Sequence, residues 1–179
     1  MIDTPAKPLN EILVTIRKNC AMIKVNGYGS FKMGPSIKRF GAAAVDKGCI
    51  KIIFDMENCL GMDSTFMGVM AGLAIRTQND VNGRVVAMNL SPKTISLLET
   101  LGLSRLIECY QADAMPEEFE AELADIMDLE NLDLDGHDKL SSLTTMLTAH
   151  QNLVDVAPEE NLPRFKDVIT YLDQDLKAL

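Results

Sequence analysis

The run IKIIFDMENCLGMDSTFMGVMAGLAI, residues 50–75, contains the change of hydrophobic pattern that decides the fold. Its first part is short, apolar and rich in β-branched residues, and it ends at Asp55, which is typical of a buried strand. After a loop, apolar residues recur at i, i+3, i+4 and i+7 from Phe66 to Leu73, the spacing of one helix face. Because N-cap residue types stand just before this pattern, the run predicts a strand, a loop and a helix with the Ser64 hydroxyl at its start.

Strand and helix patterns alternate on both sides of this run. Two strands that are split at residues 18–20 predict a hairpin, and turn-forming residues at 26–30 are predicted to follow it. Alternation of buried strands with helices predicts an α/β fold, and the hairpin makes its sheet mixed. The predicted strands cover 11–18, 21–25, 49–54, 84–88 and 106–109, and the predicted helices cover 34–46, 64–79 and 92–102.

Charge divides the chain near residue 112. Residues 1–112 carry 13 Lys and Arg against 9 Asp and Glu, a net charge of +4, whereas residues 113–179 carry 4 against 17, a net of −13. This shift predicts a first domain over 9–112, followed by an acidic helical extension over 113–179. Acidic side chains repel phosphate backbones, so the extension is not predicted to bind nucleic acid directly.

The extension is predicted to be helical. Helical spacing appears over 117–127, and an acidic, turn-like link covers 128–138. Two further amphipathic helices over 139–156 and 159–179, joined by a short link, predict a helical hairpin. Three arrangements remain open: packing on the open face of the sheet, a homodimer through these helices, or a groove for a partner. The apolar face predicted for the first hairpin helix consists of Leu140, Leu143, Leu147 and Val154.

The compartment is predicted from what the N-terminus and the apolar runs contain. There is no basic segment followed by an apolar one, and no apolar run approaches the roughly 18 residues of a membrane helix. We therefore expect a cytoplasmic protein without membrane insertion. The four cysteines form no C-x-x-C pair, so we interpret them as small buried hydrophobic residues.

Few residue patterns point to catalysis or to a cofactor. The acidic loop at 131–136 resembles part of a calcium loop, but Ser142 stands where such loops need a bidentate Glu, so no metal is predicted. No phosphate-binding or dinucleotide motif is present in the sequence, so no cofactor and no enzymatic activity are predicted. His137 and His150 have no Ser or Cys nucleophile at a recognisable spacing, and we interpret both as solvated.

The segment DSTFMG at 63–68, after a strand that ends in Asp, resembles the signature of the STAS domain (sulfate transporter and anti-sigma factor antagonist). That signature is D-S-[ST]-G-[LIV]-G at the opening of a helix. NLSP at 89–92 and LGL at 101–103 are similar to a second strand-to-helix segment of the family and the turn that closes it. The resemblance covers about residues 9–112. It implies a sheet of four or five strands with helices mainly on one face.

Two residues depart from the family pattern. Phe66 stands where the family usually has Gly, which alters how closely a partner can approach the helix start. Family members that are phosphorylated usually carry an Asp after the second strand, near the serine. At the matching position of the segment 27–30 this chain has Ser30, so the usual contact with a kinase is in question.

The resemblance implies a non-enzymatic bacterial regulator of transcription that works by partner switching. In such anti-sigma factor antagonists the unmodified serine form binds an anti-sigma factor, a serine kinase of the histidine-kinase-like ATPase type, and a sigma factor is released. Phosphorylation by that kinase ends the interaction, and a serine phosphatase restores it. On this resemblance Ser64 is the phosphorylation site, and the partner-binding residues are Asp63, Ser64, Thr65, Phe66, Met67, Gly68, Ser30 and Asp55.

The physical effect of a phosphate on Ser64 can be stated from the residues alone. It adds about −1.5 to −2 charges, and at a helix N-terminus this charge is stabilised by roughly 0.3–1 kcal/mol at an exposed site. Asp63 and Asp55 would repel it. We therefore expect phosphorylation to change partner binding rather than the fold.

Two other classes of function remain as alternatives. The chain could be a STAS adaptor subunit that is never phosphorylated, in a stress-signalling or lipid-transport complex, and Phe66 and Ser30 favour this reading. It could also be a small hydrolase or a ligand-binding protein with Ser64 as nucleophile. Against the hydrolase, the motif contains no visible base, and GMDSTF is not the G-x-S-x-G elbow.

Overall fold

A computed structural model of the protein describes residues 9–124, 126 and 128–179. This part of the chain contains seven strands and six α-helices. The strands are β1 Glu11–Arg17, β2 Cys20–Gly29, β3 Lys51–Asp55, β4 Cys59–Met62, β5 Arg84–Leu90, β6 Glu108–Gln111 and β7 Glu130–Asn131. The helices are α1 Gly34–Asp46, α2 Ser64–Val81, α3 Pro92–Thr100, α4 Glu117–Ala124, α5 Lys139–Val156 and α6 Pro158–Lys177.

The strands form one mixed sheet in the order β6-β5-β3-β2-β1-β7, and β4 pairs with the C-terminal part of β2. β1 is antiparallel to both of its neighbours, whereas the other pairs are parallel. The predicted mixed α/β architecture is confirmed. The predicted number of four or five strands is wrong, because the described residues form seven.

The two extra strands are short and lie at the periphery of the sheet. β4 lies in the segment predicted as a loop, and β7 occupies two residues of the predicted turn-like link. β7 pairs with β1 through Leu13 and Asn131, and Leu132 N–H donates to the carbonyl of Ile12 (2.8 Å). Neither short segment shows an alternation that distinguishes it from the loop and the link predicted there.

The predicted hairpin is present, but its second strand is longer than predicted. The chain turns at Lys18, which has a φ of 53°, and β2 then runs on to Gly29 through the segment predicted as a turn. Gly27 lies in that segment with a φ of 86°, and the pairing of β2 with β4 shifts register just after it. The turn-forming residues therefore support a bulge inside the strand.

One face of the sheet is covered by helices from both halves of the chain. The main core lies between this face and the helices α1, α2, α3 and α5. Its fully buried side chains include Ile12, Ile23, Ile52 and Phe54 from the strands, Phe66 and Met70 from α2, and Leu153 from α5. Helices therefore lie mainly on one face, as predicted.

The other face of the sheet is covered by α4. Phe119 is fully buried there, in a second core with Met22, Ile53, Val86 and Met88. The Nζ of Lys51 and the guanidinium carbon of Arg84 lie 5.1 and 5.5 Å from the centre of the Phe119 ring, within the range of a cation–π interaction. The start of the extension thus covers this face of the sheet. The predicted helix over 117–127 also includes residues 125 and 127, which lie outside the described residues.

The last two helices form the predicted helical hairpin, and α5 packs against α2. A Cβ atom on Gly68 would overlap the backbone carbonyl of Ala149, so the two helices touch at backbone distance. Asn152 Nδ2 donates to the carbonyl of Gly68 (3.3 Å). Of the arrangements left open by the sequence, α4 takes the open sheet face and the hairpin packs beside the first domain.

The buried face of α5 differs from the predicted one. Its buried residues are Thr145, Ala149, His150 and Leu153, whereas Leu140, at the start of the predicted apolar face, is 55% exposed. Small side chains face α2 because the glycine on α2 brings the two backbones together, and larger residues would not fit there. Close approach, rather than hydrophobic spacing, determines the orientation of α5.

Phe119→Ala tests whether α4 stabilises the sheet. We expect the free energy of unfolding to fall by about 3–5 kcal/mol, because the substitution empties a fully buried site. Urea unfolding measures the change, with Tyr171→Ala as the control, since that aromatic ring is 65% exposed. Equal midpoints for Phe119→Ala and wild type would show that the second core contributes nothing. The boundary between 9–112 and 113–179 stays a prediction, and removal of the extension would uncover this second core.

Gly68→Ala tests the contact between α2 and α5. In a helix this change ordinarily stabilises by about 1 kcal/mol, whereas here the added Cβ would meet the Ala149 backbone, and we expect a loss of about 1–3 kcal/mol. Relative to wild type, the rate of amide hydrogen exchange should increase more in α5 and α6 than in the sheet. The control is Gln78→Ala, at an exposed position of the same helix. A stabilised Gly68→Ala protein would contradict the close contact.

Candidate functional site

The start of α2 is held in place by Asp63. Its side chain caps the helix, since Phe66 N–H donates to Asp63 Oδ1 (2.8 Å). The other carboxylate oxygen, Oδ2, accepts a hydrogen bond from the N–H of Phe31 (2.7 Å), and Asp63 N–H donates to the carbonyl of Gly29 (2.9 Å). Asp63 therefore connects the helix start to the end of β2, and it positions the next residue, Ser64.

Ser64 is the first residue of α2, and its side chain is partly exposed. The Oγ atom lies 3.0 Å from Nε2 of His150, which is on α5 and 86 residues further along the chain. The predicted phosphorylation site thus contacts the extension. This contact brings together two residues that the sequence did not connect.

His150 is buried rather than solvated, so the sequence interpretation of this residue was wrong. Its exposed fraction is 4%, and its ring lies 5.1 Å from the centre of the Phe165 ring. Nδ1 donates to the carbonyl of Met146 (2.7 Å). A neutral imidazole has one donor and one acceptor. Nε2 is therefore the nitrogen that accepts the hydrogen bond from the hydroxyl of Ser64.

His137 is also not a solvated histidine. It is half-buried, and its Nε2 lies 2.6 Å from the Oγ of Ser36, which is fully buried at the start of α1. Ser36 Oγ donates its own proton to the carbonyl of Asp133 (2.6 Å), so it accepts the hydrogen bond from His137. The sequence contains two histidines, and each one joins the extension to a serine of the first domain.

The residues after Ser64 in the motif are buried. The exposed fractions of Thr65, Phe66 and Met67 are 3%, 1% and 4%, and Gly68 faces α5. The Phe66 ring takes the space beside Gly29, where a Cβ atom would come within 2.9 Å of the ring. The departure from the family pattern is therefore accommodated in the core. In this conformation these side chains are not presented to a partner.

Ser30 lies close to the helix start. It precedes the short 3-10 helix Phe31–Met33, and its side chain caps nothing. A shallow depression of the surface is lined by Ser30 and Asp63, together with Tyr28 and Lys93. The structure thus brings Ser30 and Asp63 to the same surface.

Asp55 lies at the end of β3 and is 6% exposed. Asn89 Nδ2 and Glu57 N–H donate to its Oδ1 (2.9 and 3.1 Å), and the Nζ of Lys24 is 3.4 Å from Oδ2. Burial acts to lower the pKa of Lys24, but the carboxylates of Asp55 and Glu57 outweigh it, so that the pKa is raised above its ordinary value. These contacts join the three neighbouring strands β2, β3 and β5, and Ser64 takes no part in them.

Three large apolar side chains are exposed near the helix start, and the sequence analysis did not single them out. Tyr28, Phe31 and Leu60 have exposed fractions of 47%, 42% and 44%, and we call them the apolar rim. Lys93 Nζ lies 5.9 Å from the centre of the Tyr28 ring and donates to the carbonyl of Leu60 (2.9 Å). The sequence analysis did not predict an exposed aromatic residue at Tyr28, because the segment 26–30 resembles a turn.

Metal-type side-chain clusters and membrane-length apolar helices are both absent from the described part of the chain. Within residues 9–124, 126 and 128–179, no three His, Cys, Asp or Glu side chains are grouped so as to hold a metal ion. Over the same ranges, no helix is both long and apolar enough to cross a membrane.

Comparison with solved structures identifies proteins of similar fold. One is a putative anti-sigma factor antagonist from Thermotoga maritima, 17% identical with a TM-score of 0.52, over 62% of this chain and 92% of that one. Another is an anti-sigma factor antagonist from Mycobacterium paratuberculosis, 16% identical with a TM-score of 0.50, over 69% and 97%. SpoIIAA of Bacillus, an anti-sigma factor antagonist, is 21% identical in its unphosphorylated form, with a TM-score of 0.48, over 65% and 99%.

The sequence itself matches one family model. No curated protein matches the sequence. The model described as the STAS domain matches residues 11–114, which is more than half of the 179 residues. The match begins at the first residue of β1 and ends just after β6, so it covers the sheet apart from β7. The chain therefore belongs to the STAS domain family.

Proposed function

We propose that this chain is an anti-sigma factor antagonist that switches partners through phosphorylation of Ser64. The observation that carries the proposal is the position of Ser64, partly exposed as the first residue of α2, with Asp63 fixing the backbone before it. The structural relatives named as anti-sigma factor antagonists support the same class of function. The unmodified protein would bind an anti-sigma factor that is also a serine kinase, and a serine phosphatase would reverse the modification.

The partner surface in this proposal comprises Ser64, Asp63, Ser30 and the apolar rim. The rim offers exposed aromatic and aliphatic side chains, which are the types that contribute most to protein interfaces. Asp63 and Ser30 line the depression between the rim and the helix start. The buried motif residues Thr65, Phe66 and Met67 would support this surface by packing beneath it and would not contact the partner.

Phosphorylation would act on this surface through charge. A phosphate on Ser64 carries about −1.5 to −2 charges and stands beside the carboxylate of Asp63. It would block a docked partner, while the helix N-terminus would accommodate it without a change of fold. The chain itself would have no kinase activity, and the proposal places it in the cytoplasm, where a kinase has ATP.

The alternative is an adaptor subunit of a signalling or lipid-transport complex that is never phosphorylated. One observation favours it: α5 packs at backbone distance along the helix that begins at Ser64, with Ala149 against Gly68. A homodimer through the C-terminal helices stays a prediction. It would use the exposed apolar side chains of α6, which are Leu162, Val168 and Tyr171.

Phosphopeptide mass spectrometry on the protein isolated from its own cells, with and without stress, tests the proposal first. We expect a phosphate on Ser64 whose occupancy changes with stress. Ser36 is the internal control, because its fully buried hydroxyl is held by Asp133 and His137 and should stay unmodified. Absence of phosphate on Ser64, under conditions where other phosphoproteins are detected, would favour the adaptor.

Ser64→Glu tests the effect of charge on binding. We expect the affinity for the kinase that modifies Ser64 to fall at least roughly tenfold, about 1.4 kcal/mol, while the melting temperature changes little. The reason is that the added carboxylate stands at the helix start beside Asp63. Calorimetric titration with that kinase measures the affinity. Ser104→Glu, which adds the same charge at an exposed residue elsewhere, is the control. Equal affinities for wild type and Ser64→Glu would refute the switch.

A further inference from the structure

The hydrogen bond between Ser64 and His150 has the geometry of a nucleophile and its base. The distance of 3.0 Å between Oγ and Nε2 lies within the reach of a general base. The bond from Nδ1 to the carbonyl of Met146 keeps the proton on Nδ1, so that Nε2 presents its lone pair to the hydroxyl. A serine hydroxyl is a weak nucleophile until a neighbouring base takes its proton. Both requirements, reach and tautomer, are met in one chain.

The imidazole is held rigidly in this orientation. Its exposed fraction is 4%, and the Phe165 ring packs against it at 5.1 Å between ring centres. The helix that carries it is fixed by the contact between Ala149 and Gly68 and by the hydrogen bond from Asn152 to the carbonyl of Gly68. A base that is already oriented does not need to be ordered during the reaction.

Ser64 contacts both His150 and the solvent. His150 approaches from the buried side, whereas Ser64 is itself partly exposed. The inference requires a second molecule to reach Oγ from the solvent, and the partial exposure of Ser64 supports this requirement.

We infer that His150 is the proton acceptor for transfer of a phosphoryl group to Ser64. This inference rests on the proposed function, in which a partner kinase supplies ATP and Ser64 is the phosphoacceptor. In the step, Oγ forms a bond to the γ-phosphorus of ATP supplied by the partner, and the bond from that phosphorus to the bridging oxygen breaks. ADP leaves with the electron pair, and the hydroxyl proton moves to Nε2. The imidazolium then stands beside the new phosphate and partly offsets its charge.

The second pair of serine and histidine shows what an inactive arrangement looks like. Ser36 is fully buried, and its hydroxyl proton is directed to the carbonyl of Asp133. His137 therefore donates to Ser36 rather than accepting from it. With the roles of donor and acceptor reversed, His137 cannot take the Ser36 proton. The chain thus contains a matched control for the inference.

The test uses diisopropyl fluorophosphate on the full chain, because this reagent transfers a phosphoryl group to a serine without a kinase. Oγ forms a bond to phosphorus, the bond from phosphorus to fluorine breaks, fluoride leaves, and the proton moves to His150. We expect one label on Ser64, located by peptide mass spectrometry, and none on Ser36. In His150→Gln the labelling rate should fall roughly 100-fold or more, the usual contribution of a general base. His137→Gln should label at the wild-type rate.

A second variant separates loss of the base from loss of structure. His150→Ala leaves a space the size of the ring, and added imidazole should restore labelling of Ser64 if the ring acts as a base. Circular dichroism and melting temperature establish that each variant is folded. Unlabelled Ser64 in the wild type, or equal rates in wild type and a folded His150→Gln, would overturn the inference. Labelling that depends on His150, with no phosphate on Ser64 in cells, would instead overturn the proposed function and leave the base role in place.

Discussion

The backbone contact between α2 and α5 at Gly68 is the constraint on which the rest of the structure depends. With any side chain at this position, the carbonyl of Ala149 could not lie where it does. The contact fixes the rotation of α5, and the rotation sends His150 to Ser64 and Leu153 into the main core. A glycine that belongs to the STAS signature thus serves here as the contact point of the extension.

Charge complementarity accompanies this packing. Among the residues that the structure describes, four ion pairs join the net positive first domain to the net negative extension. These are Lys51–Glu122 at 2.7 Å, Arg17–Asp128 at 3.1 Å, Arg105–Glu160 at 3.2 Å and Arg84–Glu118 at 3.4 Å. Ion pairs with this degree of exposure contribute about 0–1 kcal/mol each to the free energy of folding. Their main effect is therefore to favour one orientation of the extension on the first domain. The charge division that indicates a boundary in the sequence is, in three dimensions, an attraction between the two parts.

The sequence predicted those elements whose signal is local. α1 and α5 have the predicted bounds, because Pro35 marks the start of α1 and Pro158 follows the end of α5. The place of Ser64 at a helix start followed from three N-cap residue types in a row. β7 could not be predicted, since two residues carry no periodicity and the pairing partner lies more than 110 residues away. His150 was missed because no local pattern connects residues 86 apart, and because the face of α5 that is buried is not its most apolar face.

The long separation of α5 from α2 also has a consequence for synthesis on the ribosome. Ser64 leaves the ribosome 86 residues before the histidine that bonds to it. At roughly 5–20 residues per second, about 4–17 s pass during which the hydroxyl has no internal partner. Phe119 emerges within the same interval, so the second sheet face of the nascent chain is also uncovered at first. A newly made chain therefore passes through a stage in which its serine is more accessible to a modifying enzyme than it is in the finished protein.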